Sequence, residues 1–168
     1  MVLQLLDQQL QAFGELDERI AADEQMLQQT RRTDETVRKL LKVPGIGPLG
    51  ASALKAELDD GSAWKNSREF ACCRGIVPRH TGTGGKVRMG GISKRGDPYL
   101  RTLLIRGARN LVRGPDQPQW IADMLLRRPF NVVAVAVAHK LAPIAWSIVA
   151  RGETFDPVRA FGPKPVPA

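Results

Sequence analysis

What is scarce in this sequence narrows its reading before any motif does. The chain holds two cysteines, and they are neighbours, Cys72 and Cys73. Adjacent cysteines without a C-x-x-C spacing build neither a disulfide framework nor a redox pair. The two histidines, His80 and His139, stand far apart, so no zinc constellation can be read and no metal site is expected. The N-terminus has no basic segment ahead of an apolar core, hence no recognisable secretory signal, and the expected location is cytoplasmic. The longest apolar run, Val132 to Val149, is interrupted by His139, Lys140 and Pro143. It reads as a buried helix and not as a membrane span. Acid is almost missing from one region: residues 71–115 carry a single acid, Asp97, against 10 bases.

The positive charge is local. The net charge is +8 and the sequence pI is ≈ 10.1, which points to a polyanionic partner. Residues 1–40 carry 8 acids and 5 bases, residues 41–70 carry 4 of each, and residues 116–168 carry 4 acids and 6 bases. The excess is a patch within the chain and not a basic tail. A length of 168 residues allows one core, or one small domain with an extension.

Periodicity predicts a mainly α fold. Leu3, Leu6, Leu10, Phe13, Leu16, Ile20 and Leu27 keep three- and four-residue spacings through residues 2–32, with Gln, Asp and Glu on the other faces. This narrow seam suits a coiled coil, and equally an amphipathic helix laid on the chain's own core. Residues 1–33 are set apart as a coiled-coil-like helix, weakened in its middle by Gly14. A compact helical domain is expected over 34–155. It begins with a helix at 34–42 capped by Asp34, followed by the turn Pro44-Gly45-Ile46-Gly47 and a helix from Pro48 to Leu58.

Two helices joined in this way resemble a helix-hairpin-helix motif at 37–58. Gly45 and Gly47 would hold backbone that a side chain strains, and the amides around Ile46 and behind Gly47 could meet a phosphate. A purely structural hairpin fits the same residues. Further on, Ser67 is a candidate cap for a helix holding Phe70. Asp97-Pro98 reads as N-cap and first residue of a helix over 98–113. Leu100, Leu103, Leu104, Gly107, Ala108 and Leu111 line its apolar side, and Arg106, Arg109 and Arg113 its basic side. Helices near 119–127 and 131–150 close the domain, with Pro143 kinking the last. A Pro-rich tail at 156–168 is expected to be extended.

The stretch "VPRHTGTGGKVRMGGISKRGDPYLR", residues 77–101, reads as a glycine-rich basic loop. Glycines let a backbone approach phosphate closely, and Arg79, Lys86, Arg88, Lys94, Arg95 and Arg101 would neutralise it, with Arg106 and Arg109 on the adjoining helix. Such contacts position a nucleic acid without reading its sequence. A solvated loop is the plain alternative. The same stretch could also react. Thr83, between Gly82 and Gly84, has a hydroxyl unshielded by its neighbours, and cations around it would stabilise the charge that develops on a phosphodiester under attack. Ser93 is the rival hydroxyl.

The order of "VPGIGPLGASAL", "FACCRGIVPR", "TGTGGKVRMGGISKRGDPYLRTLLIRGAR" and "ETFDPVRAF" resembles the C-terminal domain of the insertion-sequence transposases related to the Piv DNA invertase, the one-ten and eleven-eleven types. The resemblance covers essentially the whole chain. It implies DNA transposition or recombination by a two-part active site: a RuvC-like domain with metal-binding acids, and a C-terminal domain with a nucleophilic serine, guided by a structured RNA. Thr83 stands where the family has that serine, so threonine replaces it here. Mg²⁺ is then expected only with a RuvC-like partner, and the chain reads as a truncated or split transposase that is not active alone. The partners so implied are DNA, a guide RNA, and a second copy or a full-length transposase bound through residues 2–32. The alternatives are a non-enzymatic helix-hairpin-helix nucleic-acid-binding protein, and a regulator that assembles with full-length transposase.

Overall fold

A computed structural model of the chain describes residues 2–83, 86–115 and 117–162; at residues 81, 83 and 86–89 it describes the backbone alone. Eight helices and one two-stranded sheet make up these residues, so the chain is mainly α. The first helix, α1 (Val2–Thr33), buries none of its residues. Leu3 is 79% exposed and Leu10 67%, and Phe13, Leu16 and Ile20 are likewise open. From Leu3 to Ile20 its apolar seam therefore does not lie on the chain's own core, and only Leu27, near the end of the helix, is half-buried. α1 ends at an elbow made by Asp34. The Asp34 amide donates to the Thr30 carbonyl (2.9 Å), while its carboxylate accepts the Val37 amide (3.0 Å) and starts α2 (Glu35–Leu40).

The core is built around α7 (Phe130–Arg151), whose Val133, Ala134, Val137, Ala138, Leu141, Ala142 and Ala145 are buried. Its length and composition would suffice to cross a membrane. Its faces are instead packed by α2, by α3 (Pro48–Leu58), α4 (Ser67–Cys73), α5 (Pro98–Arg113) and α6 (Gln119–Leu125). Four buried alanines on one helix let neighbouring backbones approach closely, which suits a central helix. The turn between α2 and α3 sits against α5. A Cβ on Gly107 would overlap the Gly45 carbonyl oxygen, and a Cβ on Gly45 would lie 3.0 Å from the Gly107 oxygen. Two glycines thus let a turn touch a helix backbone.

Several sequence expectations change in detail. Gly45 has φ +88, the left-handed region that favours glycine, but Gly47 has φ −86 and open space around it. Of the two, only Gly45 needs to lack a side chain. The cap of α4 is Asn66, whose side chain accepts the Glu69 amide (2.9 Å); Ser67 is the first helical residue. The segment expected to be an extended tail folds back as α8 (Pro157–Phe161), capped by Asp156, with Phe161 buried beside Trp120 and Phe155. Residues 163–168 lie outside the described residues.

The largest departure is at residues 77–101. The expected loop is a β-hairpin: β1 (Pro78–Thr83) pairs antiparallel with β2 (Lys86–Ile92) in a register that runs from Pro78↔Ile92 to Thr83↔Lys86. That register leaves the two-residue connection at 84–85, which lies outside the described residues. Between Pro78 and His80 the register slips by one. Arg79 alone there faces Gly90 and Gly91, a bulge that bends the ribbon and increases its twist.

Candidate nucleic-acid interface

The hairpin grows from a base that tolerates no side chains at two points. Gly75 (φ +67) ends α4, and a Cβ there would overlap the Arg95 carbonyl oxygen. Gly96 (φ +86) precedes α5, and its Cβ would overlap the Cys73 carbonyl oxygen. The incoming and outgoing chains are thereby locked together, each glycine against the other chain's backbone. Two hydrogen bonds complete the lock: the Ser93 amide donates to the Val77 carbonyl (2.9 Å), and the Lys94 amide to the Gly75 carbonyl (3.0 Å). Lys94 itself has φ 55, an uncommon conformation for a residue with a side chain. It holds this exposed cation at the exit of β2.

Beneath the base lies Arg74, buried at 4% exposure. Its guanidinium donates to Glu57 at 2.7 Å and sits over the rings of Trp64 (5.0 Å) and Phe70 (5.2 Å). Its carbonyl accepts Arg101 Nη1 at 3.3 Å. One of the ten bases of this region is therefore an internal strut, and Glu57, itself exposed, is its counter-charge. Removing Glu57 would leave the buried Arg74 charge uncompensated against the aromatic rings. Sequence reasoning missed this pair because the partners are 17 positions apart, with a turn and α4 between them.

The predicted contact residues separate into groups. Arg79, Lys94 and Arg95 are exposed on or at the base of the hairpin, and Arg101 is half-buried beneath them. Gly45, Ile46 and Gly47 share a cleft of about 200 Å³ with exposed Arg106 and with Asn110 of α5. Arg109 is turned elsewhere: its guanidinium lies 5.7 Å from the centre of the Phe130 ring, which Arg113 also covers at 5.1 Å. Ser93 is half-buried where β2 leaves the sheet. The side chains of Thr83, Lys86 and Arg88 lie outside the described residues; their backbones are on β1 and β2, with Thr83 and Lys86 directly paired.

Asp97, the single acid of the region, is a helix cap. One carboxylate oxygen accepts the Tyr99 amide (2.9 Å) and the other the Leu100 amide (3.0 Å). These bonds, the one from Leu100 first, hold its pKa below the ordinary carboxylate value. With both oxygens engaged, it is poorly placed to ligate a metal or take a proton. Among the described residues no group of three or more His, Cys, Asp or Glu side chains could hold a metal ion. What the arrangement offers is exposed cations on a hairpin with a locked base and, separately, a glycine turn whose helix opens with free amides.

Comparison with known proteins bears on what such a surface is for. The model of the transposase IS116/IS110/IS902 family matches residues 37–124, more than half of the chain. A probable family 20 transposase of Pseudomonas aeruginosa is 46% identical over 147 residues, which are 84% of this chain and 44% of that protein. The transposase for insertion sequence element IS1328 of Yersinia enterocolitica is 41% identical over 160 residues, 92% of this chain and 48% of that protein. More distantly, the pilin gene-inverting protein of Moraxella bovis is 24% identical over 136 residues, 79% of this chain and 42% of that protein. The chain thus spans a little under half the length of the curated relatives it matches. With a family match across the turn, the hairpin and α5, and relatives above 40% identity over most of its length, the chain belongs to the IS116/IS110/IS902 transposase family.

Proposed function

We propose that this chain is the nucleic-acid-binding, hydroxyl-bearing part of a DNA transposase, acting in the cytoplasm on DNA and a structured guide RNA. One observation carries the reading: exposed Arg79, Lys94 and Arg95 stand on, or at the base of, a hairpin locked by Gly75 and Gly96. A flexible solvated loop would need no such lock. Thr83 is the candidate nucleophile and Ser93 the rival. Cleavage of a phosphodiester also calls for proton removal and stabilisation of the leaving oxygen. The acids for that work, and any Mg²⁺ they hold, would come from a RuvC-like partner, so these 168 residues alone are expected to bind and not to cut. The glycine turn would be a second phosphate contact, of the helix-hairpin-helix kind, with Arg106 beside it.

The binding half is tested by salt dependence. Replacing Lys94, Arg95 and Arg101 with glutamine should lower the slope of log affinity against log salt by about 2–3, roughly one per lost phosphate contact. A slope equal to the parent's would place the interface elsewhere. Glycine and phosphate chemistry predict little sequence discrimination in this assay.

Assembly is proposed through α1. A 32-residue helix with an open seam of Leu3, Leu6, Leu10 and Phe13 exposes more apolar surface than an isolated helix ordinarily leaves in water. A second copy, or a longer transposase, would cover it. Sedimentation should show self-association that Leu6→Asp with Leu10→Asp abolishes. A parent that sediments as a monomer at every concentration would remove this part of the reading and leave the binding surface unaffected.

A further inference from the structure

We propose that the elbow between α1 and α2 is a second binding site for a nucleic-acid phosphate backbone, formed by Arg31, Arg32, Arg38 and Lys42. It rests on the reading that the chain binds nucleic acid, but it uses a surface the hairpin does not share. The net negative charge of residues 1–40 conceals it. Residues 1–30 carry six acids and one base, whereas residues 31–42 carry five bases and two acids. The sign changes at the end of α1.

Both acids at the elbow are engaged. The Asp34 carboxylate accepts the Val37 amide as the cap of α2. Glu35 pairs with Lys39 at 3.0 Å, and this holds its pKa below the ordinary value. That leaves Arg31, Arg32, Arg38 and Lys42 outside the ion pairs found among the described residues. All four are exposed, and together with Leu41 they line one shallow, open depression of about 520 Å³.

The fold produces this convergence. Arg31 and Arg32 occupy the last turn of α1. Burial of Val37 and Leu40 turns Arg38 outward, and Lys42 follows one helical turn later. The carbonyl end of a helix attracts basic residues, which accounts for one or two cations at each helix. It does not account for both groups opening on the same depression, where like charges repel. A single phosphate group would balance about two of the four charges. Successive phosphodiesters, one charge each, would balance all of them, so a nucleic-acid backbone fits better than a free ion. Lys42 is three residues from Gly45, so the depression adjoins the glycine turn in sequence.

The test uses the full chain and two probes, a DNA duplex and an RNA duplex of about 20 base pairs, each titrated across a salt series. The variant carries Arg31→Gln, Arg32→Gln, Arg38→Gln and Lys42→Gln. We expect its salt slope to fall by about 3 and its low-salt affinity at least ~10-fold on one or both duplexes. Loss on only one duplex identifies the ligand; loss on both assigns the shared backbone. Without nucleic acid, the variant should melt close to the parent's temperature, because relieved repulsion offsets the lost attraction of these cations to the helix carbonyl ends. A variant with the parent's slope on both duplexes, while the Lys94, Arg95 and Arg101 variant loses its own, overturns the elbow site and leaves the proposed function standing. A parent that binds neither duplex overturns both. A clear fall in the variant's melting temperature would make these cations structural and also overturn the proposal.

Discussion

Gly107→Ala should destabilise the chain by about 3 kcal/mol or more, although alanine is the better helix former by about 1 kcal/mol. Gly107 lies in the middle of α5, where propensity alone predicts a gain. The Cβ it would acquire overlaps the carbonyl oxygen of Gly45. The obstructing atoms all belong to the Gly45 backbone, so no side-chain rotation relieves the clash, and either α5 or the turn must move. Overpacking of this kind commonly costs about 1–3 kcal/mol even when only side chains are displaced. The displacement has a functional reach, because α5 carries Arg106 into the cleft of the glycine turn. Gly14→Ala is the matched control. Gly14 is also helical, nothing lies within 4 Å of its Cβ position, and the same substitution should there raise the helicity of α1. Urea unfolding followed by circular dichroism reads both. A Gly107→Ala chain with the parent's midpoint would mean that α5 and the turn do not meet as described.

Thr83→Ala is expected to abolish strand cleavage, a loss of at least ~100-fold, when the chain is combined with a RuvC-like partner portion, a guide RNA and Mg²⁺. Thr83→Ser should hold or raise activity, because it keeps the hydroxyl and removes a methyl beside the attacking oxygen. Duplex binding by Thr83→Ala should match the parent, since the cations are untouched. The register places Thr83 opposite Lys86 at the far end of the hairpin from the locked base. A nucleophile there would be carried far out on a ribbon whose base is locked at Gly75 and Gly96. Ser93 sits at the other end, half-buried, with its amide tied to Val77. If Ser93→Ala loses cleavage and Thr83→Ala does not, the nucleophile has been assigned to the wrong end of the hairpin. Cleavage by these 168 residues with metal alone would refute the division of the active site between two parts.

Much of the helical skeleton was legible because its signals are local. Asp97-Pro98 marks the start of α5, Asp34 marks the elbow, and Pro48 opens α3, each through hydrogen bonds or backbone limits that act within four residues. The hairpin was not legible in the same way. Its strands contain Gly, Lys, Arg and His, and only a few of the β-branched or aromatic residues that mark strands. The Gly84-Gly85 pair between two short runs was the available signal, since two glycines suit a two-residue hairpin connection. It was outweighed by a glycine content that also describes a loop.

By itself the sequence determined the mainly α class, the boundaries of its longer helices, the place of the positive charge and the family resemblance. These depend on periodicity, capping, composition and motif order, which are properties of neighbours along the chain. Only the tertiary structure decided which glycines are obligatory, since Gly45 and Gly107 are 62 residues apart and meet through their backbones. It likewise withdrew Arg74 into the core beside Glu57, turned Arg109 onto Phe130, and gathered the elbow cations from two helices into one depression. The reason is common to all of these: a side chain's charge or bulk is written in the sequence, but what it meets depends on contacts that form only when distant segments pack.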